Sequence, residues 1–338
     1  MKTKNKDYPL IVKINVTETC FFNCKTCFSW KNKIDKCILP LDVYKKFFKD
    51  LGKIKGANTS VNFTGGEPLS SSNIFNLISM ANKQVKYTNL NTNGWLLNKI
   101  NIKKLFDSGL TDITISLDGS SAKKHDDIRG MPGSFKKIIE GSKDIKEYYK
   151  SKGKDINVGI IFLVSALNID DVINTIKLVK KNKHMDYVFL NAVNAPIFGD
   201  SVDIVKRGQK AWFENEKYSY LWPKYINKIR KLYSEIIFLK KQGFPISNDI
   251  ERLKMQYLYF SHPKNRAKNI ICSKNNDIHL DNFGNIFHCV ILGDKIGNIK
   301  EESIDNIWNN DLSKKSKQII IKCNVNCHEL INCGKINV

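Results

Sequence analysis

Between residue 11 and about residue 191, short apolar runs alternate with stretches of helical period. No other feature restricts the fold of this 338-residue chain as sharply. Runs near 11–16, 60–63, 86–90, 112–117, 156–164 and 186–191 read as strands. Stretches beginning at Asp42 and near 72–82, 99–108, 134–149 and 169–182 read as helices. In the first of these, Val43, Phe47, Phe48, Leu51 and Ile54 fall on one face at helical spacing, which marks them as core. Six strands separated by helices predict an α/β protein with a parallel sheet.

Directly after the first strand, Cys20, Cys24 and Cys27 form a C-x3-C-x2-C array. A [4Fe–4S] cube takes four thiolates when closed, so three leave one iron open to a ligand from outside the protein. The other reading is a structural zinc site with Cys37 as fourth ligand. Zinc sites usually pair two C-x2-C knuckles, and this array has one, extended upstream. After the second strand comes Phe63-Thr64-Gly65-Gly66-Glu67-Pro68. Its glycines allow close approach of a ligand to the backbone, and its carboxylate can accept hydrogen bonds from an ammonium group.

With these two motifs in this order, the chain resembles the radical S-adenosylmethionine (SAM) superfamily. The resemblance implies that Cys20, Cys24 and Cys27 hold a [4Fe–4S] cluster, and that Gly65, Gly66 and Glu67 hold the methionyl amine of SAM. Asn91-Thr92-Asn93-Gly94, Ile113-Thr114-Ile115-Ser116-Leu117-Asp118-Gly119 and His125-Asp126-Asp127-Ile128-Arg129-Gly130 agree with it. By similarity Asn93, Ser116, Asp118 and Arg129 join the SAM site, the last three near its ribose and carboxylate. The fold implied is a partial (β/α)6 TIM-like barrel, with the motifs converging on the carboxyl ends of the strands. One departure is Thr26, where the family often has an aromatic residue before the third cysteine; Phe22 or Phe28 is the candidate replacement for stacking on adenine.

A second concentration of cysteines, Cys272, Cys289, Cys323, Cys327 and Cys333, lies near the other end. Leu280-Asp281-Asn282-Phe283-Gly284 reads as a hairpin that brings Cys272 and Cys289 to one side. This tail resembles the SPASM and twitch extensions of radical SAM enzymes, and Ile296-Gly297-Asn298-Ile299 and Ile307-Trp308 match their usual linking segment. Five thiols complete one auxiliary [4Fe–4S] cluster and not two. Cys272, Cys289, Cys323 and Cys327 are the first choice of ligands, with Cys333 as substitute or spare; zinc is the other reading of this site.

Residues 192–265 differ in character from what precedes them. A loop is expected at 194–200, then a Lys- and aromatic-rich helical region, with Tyr225, Ile226, Ile229, Leu232, Tyr233 and Ile236 as the apolar positions of a helix near 223–241. The expected division is a barrel over 1–205, a helical bridge over 206–265 that walls the substrate cavity, and a small β-hairpin and helix iron–sulfur domain over 266–338.

The formal charge of +22 raises a nucleic-acid reading. The excess is nearly all lysine spread along the chain, with arginine at 129, 207, 230, 252 and 266, and it forms no phosphate-binding stripe. An RNA-modifying enzyme therefore rests on charge alone. The charged start lacks a secretory signal and no apolar run reaches a membrane span. A cytoplasmic location is expected, and there nine cysteines point to metal rather than disulfides. The expected activity is that of an oxidoreductase. It cleaves SAM reductively to a 5′-deoxyadenosyl radical, takes a hydrogen atom from a small metabolite of sugar or aminocyclitol type, and passes an electron to the auxiliary cluster. The short segment before the first strand favours a metabolite over a ribosomally made peptide, whose oxidation, epimerisation or cross-linking is the alternative. A flavodoxin or ferredoxin is the expected electron donor. Cys37 is a candidate hydrogen-atom donor for epimerisation, against the plainer reading of a small buried or loop residue. A non-catalytic iron–sulfur or zinc protein is the remaining class.

Overall fold

The computed structural model describes residues 8–27, 39–194, 212–263, 270–323, 327–333 and 335–336. Six parallel strands run in sequence order: β1 (Ile11–Thr17), β2 (Ser60–Gly65), β3 (Tyr87–Thr92), β4 (Asp112–Ser116), β5 (Asn157–Val164) and β6 (Tyr187–Ala192). The helices of this half are α1 (Leu41–Ile54), α2 (Ile74–Asn82), α3 (Lys99–Asp107), α4 (Ala122–Arg129), α5 (Ser134–Ser151) and α6 (Val172–Lys181). The parallel sheet and its helices are those expected, with boundaries moved by a few residues. Helix α4 was not foreseen: mean hydropathy is low over Ala122–Arg129, and only His125 and Ile128 are buried.

Alternation along the strands sets the two faces. On β1, Val12, Ile14 and Val16 are buried in the core, whereas Ile11, Lys13 and Asn15 line an interior cavity. On β2, Val61 and Phe63 go to the core, and Asn62 and Thr64 face the cavity. Strands covered on both faces usually read as continuous apolar runs. The polar alternate positions here mean that the lumen is a cavity rather than a packed interior.

The second half contributes α7 (Ile226–Lys241), α8 (Ile250–Ser261), β7 (Ile270–Ile271), β8 (Asp277–Leu280), β9 (Asn285–Phe287), β10 (Gly297–Asn298), α9 (Ile304–Asn309), α10 (Asp311–Ile321), α11 (His328–Cys333) and β11 (Lys335–Ile336). Helix α7 buries Ile229, Leu232, Tyr233 and Ile236 as expected, but Tyr225 and Ile226, counted with them, are exposed. Trp212 and Trp222 lie on short turns before α7 and pack with Phe213, Tyr259 and Phe260. The expected loop at 194–200 and Cys37 fall outside the described residues, apart from Asn194.

The hairpin of the tail is present as β8–β9, with Asp281 tying its turn by accepting from the backbone N–H of Phe283 and Asn285. It does not stand apart from the barrel. Strand β8 pairs in parallel with β1, Ile11 opposite Asp277 and Lys13 opposite His279, extending one sheet to nine strands. The opposite edge, β6, is covered by side-chain amides. Asn248 exchanges two hydrogen bonds with the Leu190 backbone, and Asn332 two with that of Ala192. Both edges that an open barrel leaves unpaired thus find partners in the second half of the chain.

Candidate active site

The cysteine loop leaves the carboxyl end of β1 and is anchored from two sides. From β2, the N–H of Gly66 donates to the Thr17 carbonyl at 2.6 Å and that of Glu67 to the Thr19 carbonyl at 2.8 Å. Gly65 has φ +136°, and a Cβ on it would sit 2.3 Å from the Thr17 oxygen; one on Gly66 would sit 2.2 Å from that of Thr19. Glycine is required at both positions by the neighbouring backbone. From the other side, α4 ends against the loop: Lys25 N–H donates to the Ile128 carbonyl, and Gly130, at φ +61°, lies where a Cβ would strike the Asn23 carbonyl. This docking delivers Arg129 to the thiols, its Nη1 3.9 Å from Cys24 Sγ.

Cys20, Cys24, Cys27, Gly65, Gly66, Asn93, Ser116 and Arg129 together line one cavity of about 160 Å³, with Phe22, Thr64, Asn91 and Thr92. Of the two aromatic candidates near the loop, Phe22 is on this wall and Phe28 lies outside the described residues. Glu67 and Asp118, also expected at SAM, are fully buried behind the wall. Glu67 Oε1 accepts from Leu69 N–H and the Thr92 hydroxyl, and Oε2 from Asn93 N–H at 2.7 Å. Burial pushes this carboxyl up to about 6, against the pull of those donors. It joins the glycine turn to β3 and fixes Asn93, whose own amide nitrogen is buried without a partner among the described residues. Asp118 Oδ1 accepts from Leu163 N–H, and Oδ2 lies 2.7 Å from Arg129 Nε. Burial opposes the charge of Arg129, while Asp118 and Cys24 hold it protonated.

Burial also raises Cys20, and lifts Cys24 to about 12 against the field of Arg129. Thiols so placed lose their protons to a metal rather than to water. Among the described residues no three His, Cys, Asp or Glu converge tightly enough for one metal ion. The three thiols all line the one cavity, as three ligands of a single cluster must.

A second cavity, of about 720 Å³, occupies the lumen and meets the first at Thr64, Gly65 and Asn91. Asn15, Asn62, Asn89 and Asn191 line it, with Ile161, Tyr187, Phe189 and Phe287 among the apolar groups; Ser247 is its contribution from the expected bridge. The sequence carried a signal for these residues that motif reading passed over, namely polar side chains, asparagine foremost, at the strand positions that alternate with the buried apolar ones. In the tail, Cys272, Cys289, Cys323 and Cys327 surround a small apolar space with Ile291, Leu292, Ile320 and Leu330. The four thiols chosen first are therefore neighbours; the side chain of Cys333 lies outside the described residues.

Residues 14–179 match the Radical SAM superfamily pattern. The AdoMet-dependent heme synthase of Methanosarcina barkeri is 25% identical over 89% of this chain and 82% of its own length. The 7,8-dihydro-6-hydroxymethylpterin dimethyltransferase of Methanocaldococcus jannaschii is 31% identical over 53% of this chain, which spans 35% of that protein. Among solved structures, Streptococcus suis SuiB bound to S-adenosylmethionine superposes with a TM-score of 0.68 at 20% identity, covering 97% of this chain and 72% of SuiB. The native anSMEcpe structure with bound AdoMet gives 0.67 at 19% identity, covering 96% and 89%. The likeness in fold thus runs through the tail as well as the barrel. The chain is a member of the radical SAM superfamily, with a [4Fe–4S] cluster and SAM as its cofactors.

Proposed function

We propose that this radical SAM enzyme removes a hydrogen atom from a small polar molecule held in the barrel lumen and releases it oxidised, with an auxiliary cluster in the tail as electron acceptor. The observation that carries the reading is that the two cavities are neighbours, with Thr64, Gly65 and Asn91 lining both. A cofactor ringed by Cys20, Cys24, Cys27 and Arg129 then lies beside a half-open space of the size that holds small ligands, with asparagine amides set among mainly apolar groups.

When bound, the cluster supplies the electron that splits the SAM sulfonium into methionine and a 5′-deoxyadenosyl radical. The chain's own residues do the positioning. Gly65 and Gly66 permit backbone approach, Asn93 offers its amide, Arg129 presents a fixed cation to a carboxylate, and Ser116 offers a hydroxyl. The asparagines of β1, β2 and β3 give donors and acceptors to a ligand's polar edge, and Tyr187 and Phe189 meet its apolar face. Cys272, Cys289, Cys323 and Cys327 supply four thiolates in apolar surroundings for the auxiliary cluster.

This reading takes 1–205, 206–265 and 266–338 as the working division of the chain, a flavodoxin or ferredoxin as electron donor, and a cytoplasmic setting. No helix among the described residues is long and apolar enough to cross a membrane. The match to PqqA peptide cyclase of Rhodopseudomonas palustris, 30% identical over 41% of this chain, supports a second reading in which the lumen receives a peptide side chain.

The test is anaerobic reconstitution followed by reduction with SAM. Production of 5′-deoxyadenosine by the native chain and its loss in Cys24→Ala are expected. A Cys24→Ala protein that still cleaves SAM defeats the reading. Deuterium carried into 5′-deoxyadenosine from labelled small-molecule fractions, and not from peptides, separates the two substrate classes.

A further inference from the structure

Helix α11 has two different neighbours. It starts one residue after Cys327, whose carbonyl accepts from Ile331 N–H at 3.1 Å. Leu330 lines the space between the four tail thiols, while the next residue, Ile331, is fully buried in the main core of the barrel. Asn332, 1% exposed, reaches the open edge of β6: its Oδ1 accepts from Ala192 N–H at 2.9 Å, and its Nδ2 donates to the Ala192 carbonyl at 3.0 Å.

Helix α8 makes the same pair of connections. Met255 packs with Leu330 against Cys272 and Cys327. The adjacent Gln256, also fully buried, donates from Nε2 to the Leu190 carbonyl and to Asn332 Oδ1, at 2.8 and 2.9 Å. Arg252, on the same helix, donates to the Asn332 carbonyl. Between the two clamped residues of β6 lies Asn191, which lines the lumen and whose Oδ1 is buried without a partner among the described residues.

We propose that Asn332 is a positioning residue that couples iron loading of the tail to the shape of the substrate lumen. Ligation by Cys327 and its neighbours fixes the start of α11, α11 holds Asn332 on β6, and the clamped edge fixes where Asn191 points. Without iron, the small apolar space between the thiols leaves the start of α11 untethered by any bond to metal. The clamp is then free to leave, and the edge amides of β6 are released to water. The coupling rests on the auxiliary-cluster reading above, and the experiment separates the two.

Hydrogen exchange read by mass spectrometry over residues 188–193 measures the clamp directly, because Ala192 N–H is one of its bonds. Four anaerobic samples are compared with the iron-free chain: the reconstituted native protein, and reconstituted Cys24→Ala, Cys327→Ser and Asn332→Leu, the last removing both the acceptor and the donor that Asn332 gives to Ala192. Exchange at least about tenfold slower is expected in the native and Cys24→Ala proteins. It should be fast in Cys327→Ser, and fast in Asn332→Leu although that variant keeps the tail iron. Should Cys24→Ala hold no iron, the auxiliary cluster and the coupling fall together. If it holds iron while exchange at 188–193 matches that of the iron-free chain, or if Asn332→Leu stays protected, the coupling alone is overturned.

Discussion

Asp118 Oδ2 lies 2.7 Å from Arg129 Nε, the carboxylate fully buried and the guanidinium on the wall of the cavity that the three thiols line. Helix α4 brings the arginine and the carboxyl end of β4 the carboxylate. Removing one member of a buried pair strands the other, at about 3–5 kcal/mol. Asp118→Asn is expected to lose stability on that scale in anaerobic denaturant melts, and to weaken SAM binding because Arg129 is no longer held toward Cys24.

The Gly65-Gly66 turn predicts a separate defect. Alanine at Gly66 meets the Thr19 carbonyl oxygen of the cysteine loop, and alanine at Gly65 meets both the Thr17 carbonyl oxygen at the end of β1 and the Asn15 side-chain oxygen. Gly66→Ala should cost about 1–3 kcal/mol or more, as overpacking does, and should lower iron bound at Cys20, Cys24 and Cys27. Iron content and the visible absorption of the reconstituted protein check this, with the tail cluster as internal reference.

Acid stability should turn on two buried groups acting in opposite directions. His125, whose Nδ1 accepts from Asp118 N–H, is held down to about 3 from 6.5, first by burial and then by Arg129. The unfolded chain binds this proton between those values and the folded chain does not. Stability is therefore lost as pH falls from 6.5 toward 3, by up to about 1.4 kcal/mol per unit. Glu67, raised from 4.5 to about 6, binds its proton more readily when folded, so its contribution is present below 4.5 and lost as pH rises through 6. The two offset one another between 6 and 4.5, and the loss dominates below. Glu67→Gln is expected to steepen the decline between pH 6 and 4.5 in urea melts.

Iron stoichiometry divides the two thiol sets. Full reconstitution should give about eight irons per chain, and Cys289→Ala about four with SAM cleavage retained. Zinc in place of iron at both sets would instead support the non-catalytic class.

Asn62, on the lumen wall away from the thiols, tests where substrate sits. Asn62→Leu removes one lumen amide without touching the cofactor cavity. It should raise KM for a substrate that yields label to 5′-deoxyadenosine, while SAM binding stays unchanged.

Local pattern determined much of this protein. The period of two in β1 to β6 and the helical period between them set the parallel sheet, because burial of alternate or every third and fourth side chain leaves few other arrangements. The spacing of Cys20, Cys24 and Cys27 and the glycines at 65 and 66 pointed to the cofactor, since ligand geometry and backbone approach are written in short stretches of chain. Tertiary structure decided what depends on distant residues meeting. It put Glu67 and Asp118 behind the wall as supports for Asn93 and Arg129, because a carboxylate takes whatever donors the folded chain brings to it. It inserted β8 beside β1 and laid Asn332 on Ala192, because an open sheet edge must be satisfied, and which segment satisfies it is settled only when the whole chain has packed.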